Sequence, residues 1–452
     1  MSSRAPFDAA VIGGGVAGLA AATALANAGK RVIVIEARGQ LGGRATAFVD
    51  RATGERVDNG QHVLFGCYRE TFAFLRRIGA ESNVRVQPRL RVPYLDPAGR
   101  RSVLACPRLP PPMHLLAAVL TWDALEPTDR FQVLRVGRPL LRARRGTETI
   151  DAAETVAAWL DRHGQRGRLR EWLWEPLAIA ALNQPPSQAA AAPFVRVLAE
   201  MFGSGPSDAS LALPIVPLDE AYALPARRYI ESRGGEVRLH ALARIHLQGG
   251  RIERVEVRGE PIMARTVIVS VPWFALSGLF TGDLTPVARL AANADRMDSK
   301  PILTVNLWYD RPVMDDEFVG LPGRSMQWAF DKRQAFGERA SHLSLVSSGA
   351  SELIGMDPDA LVARAASEIA ASIPGARDAV LRRGTVIREK RATFSLSPGQ
   401  PARPGVRTTL DTLFLAGDWI ETGLPGTIES AALAGHLAAR ACLATDHTDD
   451  TD

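Results

Sequence analysis

Three glycines and a glutamate near the amino terminus are the first residues whose types and spacing imply chemistry. Gly13, Gly15 and Gly18 form a GxGxxG turn, and Glu36 with Ala37 follows one helix and one strand later. Gly13 permits a tight turn, Gly15 lets a pyrophosphate approach bare backbone, and Gly18 lets helix and strand pack closely. The N–H groups that open such a helix attract an anion, typically by about 0.3–1 kcal/mol. A carboxylate at the end of the next strand can accept hydrogen bonds from ribose hydroxyls. Together these residues specify a dinucleotide site. A glycine-rich loop that merely packs a helix would leave Glu36 unexplained.

The elements that must position them follow in order. Ala9–Ile12 is a short apolar run of the kind found in buried parallel strands. An Ala/Leu-rich helix spans about 16–28, Gly29 stops it, and 31–35 is a second buried strand. The other end of the chain repeats the pattern: Leu413–Trp419 (LFLAGDW) is a strand ending in Gly417 and Asp418, and Gly426, Thr427 and Ile428 open an Ala-rich helix. Between the two ends lie a hairpin at Thr46–Arg56 with Gly54 in its turn, a helix at 68–78, and short strands over 82–108. Residues 113–163, 170–182 and 189–202 read as helical, with little Val/Ile alternation. A helix at 218–232 leads into strands at 236–239, 243–247, 251–257 and 264–271, a β-meander and its closing buried strand. Leu303–Tyr309 is a further strand and 360–373 a further helix.

The fold class is therefore α/β. A discontinuous Rossmann-type domain takes 1–80, 215–275 and 395–444, an inserted substrate domain of helices and sheet takes 81–214 and 276–394, and 445–452 is a disordered polar tail.

Composition narrows the partners. The net charge of +5 is carried almost entirely by arginine, since lysine occurs only at positions 30, 300, 332 and 390. No basic run is interleaved with aromatics, so no nucleic-acid partner is expected, whereas an anionic membrane surface suits the charge. Cys67, Cys106 and Cys442 are far apart and odd in number, which predicts reduced thiols in the cytoplasm and no metal site. The amino terminus is read as carrying no signal peptide. Leu109–Trp122 is 14 residues long and opens on Pro110-Pro111-Pro112, too short and broken to span a bilayer.

Leu41-Gly42-Gly43-Arg44 resembles the glycine doublet of flavoproteins that hold FAD. With LFLAGDW at the other end, the chain resembles the amine-oxidase and phytoene-desaturase superfamily. Asp58–Tyr68 (DNGQHVLFGCY), Trp172–Leu177 (WLWEPL), Ala181-Leu182-Asn183 and Leu415–Trp419 narrow this, over essentially the whole chain, to a resemblance to the squalene-associated FAD-dependent desaturases, the hydroxysqualene dehydroxylase family. The resemblance implies a GR2-like FAD fold in which Gly43, Arg44, Val237, Gly417, Asp418, Gly426, Thr427 and Ile428 join the cofactor residues. It implies a hydrophobic isoprenoid substrate and reduction of hydroxysqualene to squalene, on the way to hopanoids. The reductant that reloads FAD stays unnamed, because no NAD(P)H domain is apparent.

In that reaction an acid protonates a departing allylic hydroxyl and reduced flavin delivers hydride to the cation. His62 is the first candidate acid, Asp58 its orienting partner and Glu175 a second acid. Gln61, Trp172 and Trp174 are candidate substrate contacts, the tryptophans by cation–π stabilisation of about 0.5–2 kcal/mol. Plainer roles compete: a histidine bonded to backbone or flavin, an Asp-Asn-Gly turn, and tryptophans that simply pack a core. Amine oxidases usually place a lysine in a strand such as Leu303–Tyr309, and none is there, although Lys300 is close. The same fold would also support a carotenoid-type desaturase or isomerase, an amine or protoporphyrinogen oxidase, or a non-enzymatic FAD-fold escort. A long isoprenoid gains about 0.8 kcal/mol per buried CH₂ and must be drawn from a bilayer. An apolar tunnel is thus expected to open on a peripheral membrane contact at the inner face of the cytoplasmic membrane. Residues 109–122, with Arg100, Arg101 and Arg108 for lipid phosphates, are the expected surface.

Overall fold

Apolar runs of four to six residues, each followed by a helix or crossover, can only be satisfied as buried parallel strands. The computed structural model, which describes residues 6–449 except 52, 204 and 338–340, shows this arrangement. Strands Glu236–Arg238, Val32–Ile35, Phe7–Ile12, Ala264–Val269 and Leu413–Leu415 lie side by side in that order, all parallel. Ala9 stands opposite Val32 and Val11 opposite Ile268, so the first strand is central and apolar on both faces. Helix Val16–Asn27 is almost entirely buried, as expected of a helix that is apolar all round. The terminal helix lies directly on it: a Cβ added at Gly435 would sit 2.2 Å from the Ala17 carbonyl oxygen.

The meander consists of Ala243–Gln248, Arg251–Val257 and Glu260–Ile262, antiparallel, with Phe280–Gly282 added in parallel to the first. That last strand stays with the meander, although the expected boundary lay at 276. A larger sheet orders Leu381–Phe394, Ser299–Tyr309, Ser341–Ser348, Trp328–Asp331, Phe318–Gly320, Arg91–Leu95 and Arg101–Ala105. Against it packs a helical block that includes Met113–Leu120, Gly137–Arg144, Val156–Arg162, Glu175–Leu182 and Ala191–Met201.

One strand is unexpected and two expectations are corrected, the first because Glu236–Arg238 lies in the parallel sheet and not in the meander. Leu211–Pro214 is a strand, pairing with Leu64–Phe65 and Val84–Val86; a four-residue apolar run among Ser and Pro carries no alternation to announce it. The terminal helix runs Ile428–Asp449, so 445–449 are helical and not a disordered tail, while 450–452 lie outside the described residues. Once a helix is nucleated each added residue gains a hydrogen bond at little further cost, which carries it past the last apolar position.

The helical block is stitched to the larger sheet by Asn183. This residue ends helix Glu175–Leu182 in the left-handed region (φ 54°), where asparagine is tolerated. Its Nδ2 donates to the Lys300 carbonyl at 3.2 Å and to Thr393 Oγ1 at 3.0 Å, and its Oδ1 accepts from Gly349 N at 2.6 Å. Gln184 continues the seam, accepting from Leu396 N and donating to Ser397 Oγ at 2.9 Å. Replacing Asn183 by Ala strands three partly buried polar groups, where a fully buried group left unpaired costs about 1–3 kcal/mol. Asn183→Ala should therefore lower the denaturant midpoint of the FAD-loaded protein clearly; an unchanged midpoint would show that the seam is not needed.

Candidate active site

The nucleotide cradle is made of backbone. Gly13 has φ +111°, and a Cβ there would meet Ser270 Oγ at 2.7 Å. At Gly18 a Cβ would lie 2.0 Å from the Gly13 carbonyl oxygen, so the helix start seats directly on the turn. The glycine doublet crosses in front: Gly42 N donates to Gly14 O at 2.8 Å, and a Cβ at Gly43 would stand 3.1 Å from Gly15 Cα. Helix Val16–Asn27 has neither a side-chain cap nor an acid in its first turn, so its opening N–H groups are left to an anion. Glu36, 8% exposed, accepts from Gly14 N through Oε2 at 2.7 Å and from Arg38 N through Oε1 at 2.8 Å. Each carboxylate oxygen keeps a further lone pair for a ribose hydroxyl. Ala37 beside it is exposed, and Val237 pairs with Val34 on the outermost strand of this sheet. Bare backbone at one end and a fixed carboxylate at the other fit the pyrophosphate and ribose of FAD.

The carboxyl-terminal residues close on this cradle. Arg44, next to the doublet, ion-pairs with Asp418 and donates to the Ala392 carbonyl at 2.8 Å. Gly417 has φ +144°, with the Trp419 ring 2.8 Å from where a Cβ would be. A Cβ at Gly426 would stand 3.2 Å from Asp418 Oδ2. Thr427 Oγ1 accepts from Ser430 N at 3.1 Å, capping the helix that begins at Ile428. One residue further, Glu429 accepts from the N–H groups of Glu70 (3.0 Å) and Thr71 (2.9 Å), capping helix Arg69–Arg77. Burial pushes the Glu429 carboxyl pKa up, against these hydrogen bonds.

The Asp58–His62 loop is organised by a residue that the sequence reading passed over. Lys332, 1% exposed, donates from Nζ to Asp58 Oδ2 at 2.9 Å and to Gln61 Oε1 at 2.9 Å. Its only sequence signal was its rarity among arginines. Asp58 Oδ1 accepts from Leu218 N at 3.0 Å. Asp58 therefore does not orient His62; it is the buried counter-charge of Lys332. Gln61 has its Nε2 3.3 Å from the His62 carbonyl, so both ends of its amide brace the loop instead of facing a substrate. His62 Nδ1 lies 2.9 Å from the Gly60 carbonyl, which places the proton on Nδ1 and leaves Nε2 as an acceptor. Burial holds the His62 pKa below its ordinary value; Lys332 lowers it further, while the Gly60 hydrogen bond and Asp58 oppose this. His62 is thus neutral at neutral pH and must take up a proton before it can act as an acid. The long strand Ser299–Tyr309 passes this loop at Thr304, whose Oγ1 lies 3.4 Å from a Cβ built on Gly60. Lys300, in the same strand, turns to Gln188 Oε1 at 3.3 Å.

A hydrocarbon-lined cavity lies within the helical block. Its wall is hydrocarbon from Leu90, Leu104, Leu116, Val119, Leu140 and Leu198 among others, with Arg144 at one side. Trp174 lines it, and its indole N–H is bonded to Gln165 Oε1 at 2.9 Å. The Asp58–His62 residues do not line it. Leu115 and Leu177 do, and they pack against the small cluster of Cys67, Met201 and Ala209, in which Cys67 follows that loop. Trp172 points elsewhere, because residues two apart on a helical backbone do not share a face. It sits 6.1 Å from both Tyr94 and Trp122 in an aromatic cluster, and the Arg168 guanidinium lies 4.6 Å over its ring, so the cation–π role expected of it is already filled. Glu175 is corrected too: it is ion-paired with Arg170 at 2.9 Å, its side chain 36% exposed, and does not line the cavity. The backbone widens into a π turn over Arg170–Trp174, immediately before it.

This fold and cradle define an FAD-dependent oxidoreductase. The sequence matches the family described as flavin containing amine oxidoreductase over residues 16–443, and the chain belongs to that family, on the branch that holds the hydroxysqualene dehydroxylases. A hydroxysqualene dehydroxylase of Rhodopseudomonas palustris is 31% identical over 444 residues, 96% of this chain and 98% of that protein. One from Sinorhizobium fredii is 30% identical over 459 residues, 98% of this chain and 100% of that protein. A 15-cis-phytoene desaturase of Synechococcus elongatus is 24% identical over 463 residues, 96% and 95% of the two chains. Among solved structures, a putrescine oxidase variant superposes with a TM-score of 0.74 at 17% identity, covering 97% of this chain and 99% of that one.

Two outcomes follow. Glu36→Ala should retain FAD about 10–100-fold less tightly, the equivalent of losing hydrogen bonds to a charged acceptor, read from the flavin absorbance left after dialysis. Lys332→Met leaves Asp58 buried without its counter-charge and should cost about 3–5 kcal/mol in unfolding experiments. Adding Asp58→Asn to Lys332→Met should recover part of that loss; if it recovers none, the pair is not the source of the stability.

Proposed function

We propose that this enzyme reduces hydroxysqualene to squalene. The observation that carries the reading is the hydrocarbon cavity, whose wall offers a long isoprenoid shape and apolar surface and offers an amine no carboxylate. Similarity of 30–31% to proteins named hydroxysqualene dehydroxylase supports the same reading. Thr304, where the long strand meets the loop, argues against amine oxidation, which in related enzymes relies on a lysine in such a strand.

In the reaction the allylic C–O bond breaks, a C–H bond forms, and the oxygen leaves as water after taking one proton; the substrate gains two electrons. FAD, when reduced, supplies the hydride, and an external reductant reloads it. The chain supplies the rest. The apolar walls hold the polyprene and exclude water from the carbon that becomes cationic. The Lys332–Asp58–Gln61 contacts fix the loop that bears His62. His62 takes a proton from solvent at Nε2 and passes it to the departing hydroxyl. Because burial lowers its pKa, its protonated fraction, and with it kcat/KM, rises as pH falls below the ordinary histidine value of 6.5.

A carotenoid-type desaturation is the second reading, favoured by the similarity to a phytoene desaturase; it runs in the opposite redox direction. Anaerobic single turnover distinguishes the two. Reduced enzyme given hydroxysqualene should form squalene, while oxidised enzyme given phytoene, or a panel of amines, should leave its flavin oxidised. His62→Ala should keep FAD and lose about 10²–10⁴-fold in turnover together with the acid-side rise. Near-normal turnover in that variant would remove His62 from the mechanism.

A further inference from the structure

The cavity opens where its own lining meets solvent. Met113, Leu134 and Leu141 line it and are 49%, 51% and 48% exposed. Phe131 and Leu109, on the same segments, are also among the exposed large apolar side chains. An exposed apolar rim around a hydrocarbon cavity marks an interaction surface.

The charge on the segment that carries much of this rim has one sign. Residues 131–147 contain Arg135, Arg138, Arg142, Arg144 and Arg145 and no Asp or Glu. Among the described residues none of the five forms an ion pair; Arg144 donates to the Phe202 carbonyl at 3.2 Å and Arg135 to the Gly164 carbonyl at 3.4 Å. By contrast, Arg100 pairs with Asp96 at 3.5 Å and Arg101 with Asp316 at 2.8 Å. Those two, expected from the sequence to meet lipid, are neutralised within the protein. The uncompensated arginines lie instead on and around helix Gly137–Arg144.

We infer that this face docks on an anionic phospholipid bilayer, with Met113, Phe131, Leu134 and Leu141 entering the acyl boundary and Arg138, Arg142 and Arg145 at the phosphates. An isoprenoid dissolved in the bilayer then enters the cavity without crossing water. A second copy of this chain is a poorer occupant, because a twofold contact would set the two arginine groups against each other. The identity of the entering molecule rests on the proposed function; the lipid contact rests on the surface alone.

FAD-loaded protein is floated with vesicles of phosphatidylglycerol and phosphatidylcholine, and with phosphatidylcholine alone. Binding should be at least about tenfold greater on the anionic vesicles and should weaken with salt. Changing Arg138, Arg142 and Arg145 together to Glu should abolish that preference while leaving turnover of detergent-solubilised substrate unchanged and slowing turnover of vesicle-embedded substrate. Leu134→Ser with Leu141→Ser should reduce the binding that survives high salt; retained flavin absorbance shows that these variants are folded. Wild-type protein that ignores anionic vesicles, or a triple Glu variant that binds like wild type, overturns the proposal. So does a dimer in sedimentation velocity that Leu134→Ser with Leu141→Ser dissolves. Vesicle binding as described, with no turnover of hydroxysqualene even in detergent, would leave the docking face standing and remove the assigned substrate.

Discussion

The structure depends on the approach of the two chain ends to one turn of backbone. Gly15 and Gly43 lie with nothing but hydrogens between their main chains, and Arg44, the next residue, reaches Asp418 from the far end of the sequence. The first strand is held between Val32–Ile35 on one side and Ala264–Val269 on the other, with Leu413–Leu415 beyond. The cradle therefore forms only after segments some four hundred residues apart have paired. The intervening chain is free to leave as a substrate domain because both its exits are tied to this sheet.

A second constraint sits at the junction of the two domains. Lys332 arrives from the larger sheet and Asp58 from the nucleotide side, and the two are almost wholly buried. Removing two charges from water is costly, and their attraction repays it only where geometry and further hydrogen bonds are good. Here Leu218 N and Gln61 Oε1 supply those bonds. The pair thus makes the loop position conditional on correct domain docking, which places His62 reproducibly. Burial is what holds the His62 pKa down; within the pair Asp58 raises it and Lys332 lowers it.

Within the helical block, polarity is segregated sharply. The Trp174 indole and Gln165 satisfy one another there, and apart from Arg144 the cavity wall is hydrocarbon. The seam made by Asn183 and Gln184 carries the remaining polar traffic to the larger sheet. The inserted domain of this chain thus encloses a space walled by hydrocarbon.

The sequence alone determined the nucleotide half. Gly13, Gly15, Gly18, Glu36, Gly43 and Asp418 were legible because their roles follow from local backbone geometry and from position at strand ends. The apolar character of the inserted helices was legible too, but the strand order of that sheet was not: Glu236–Arg238, expected in the meander, is its outermost strand. The catalytic side was not. Glu175 and Trp172 looked like partners of a substrate, but the facing of helical residues 172, 174 and 175 decides what each one touches, and that is set by how the helix packs. Lys332 was invisible because a buried ion pair across 274 residues leaves no local pattern. Among the described residues Arg100 and Arg101 are ion-paired, whereas the arginines of helix Gly137–Arg144 are not, for a like reason: which arginines keep their charge uncompensated depends on which carboxylates the fold brings beside them. Local chain chemistry is written in neighbouring residues, whereas pairing, facing and burial belong to the tertiary structure.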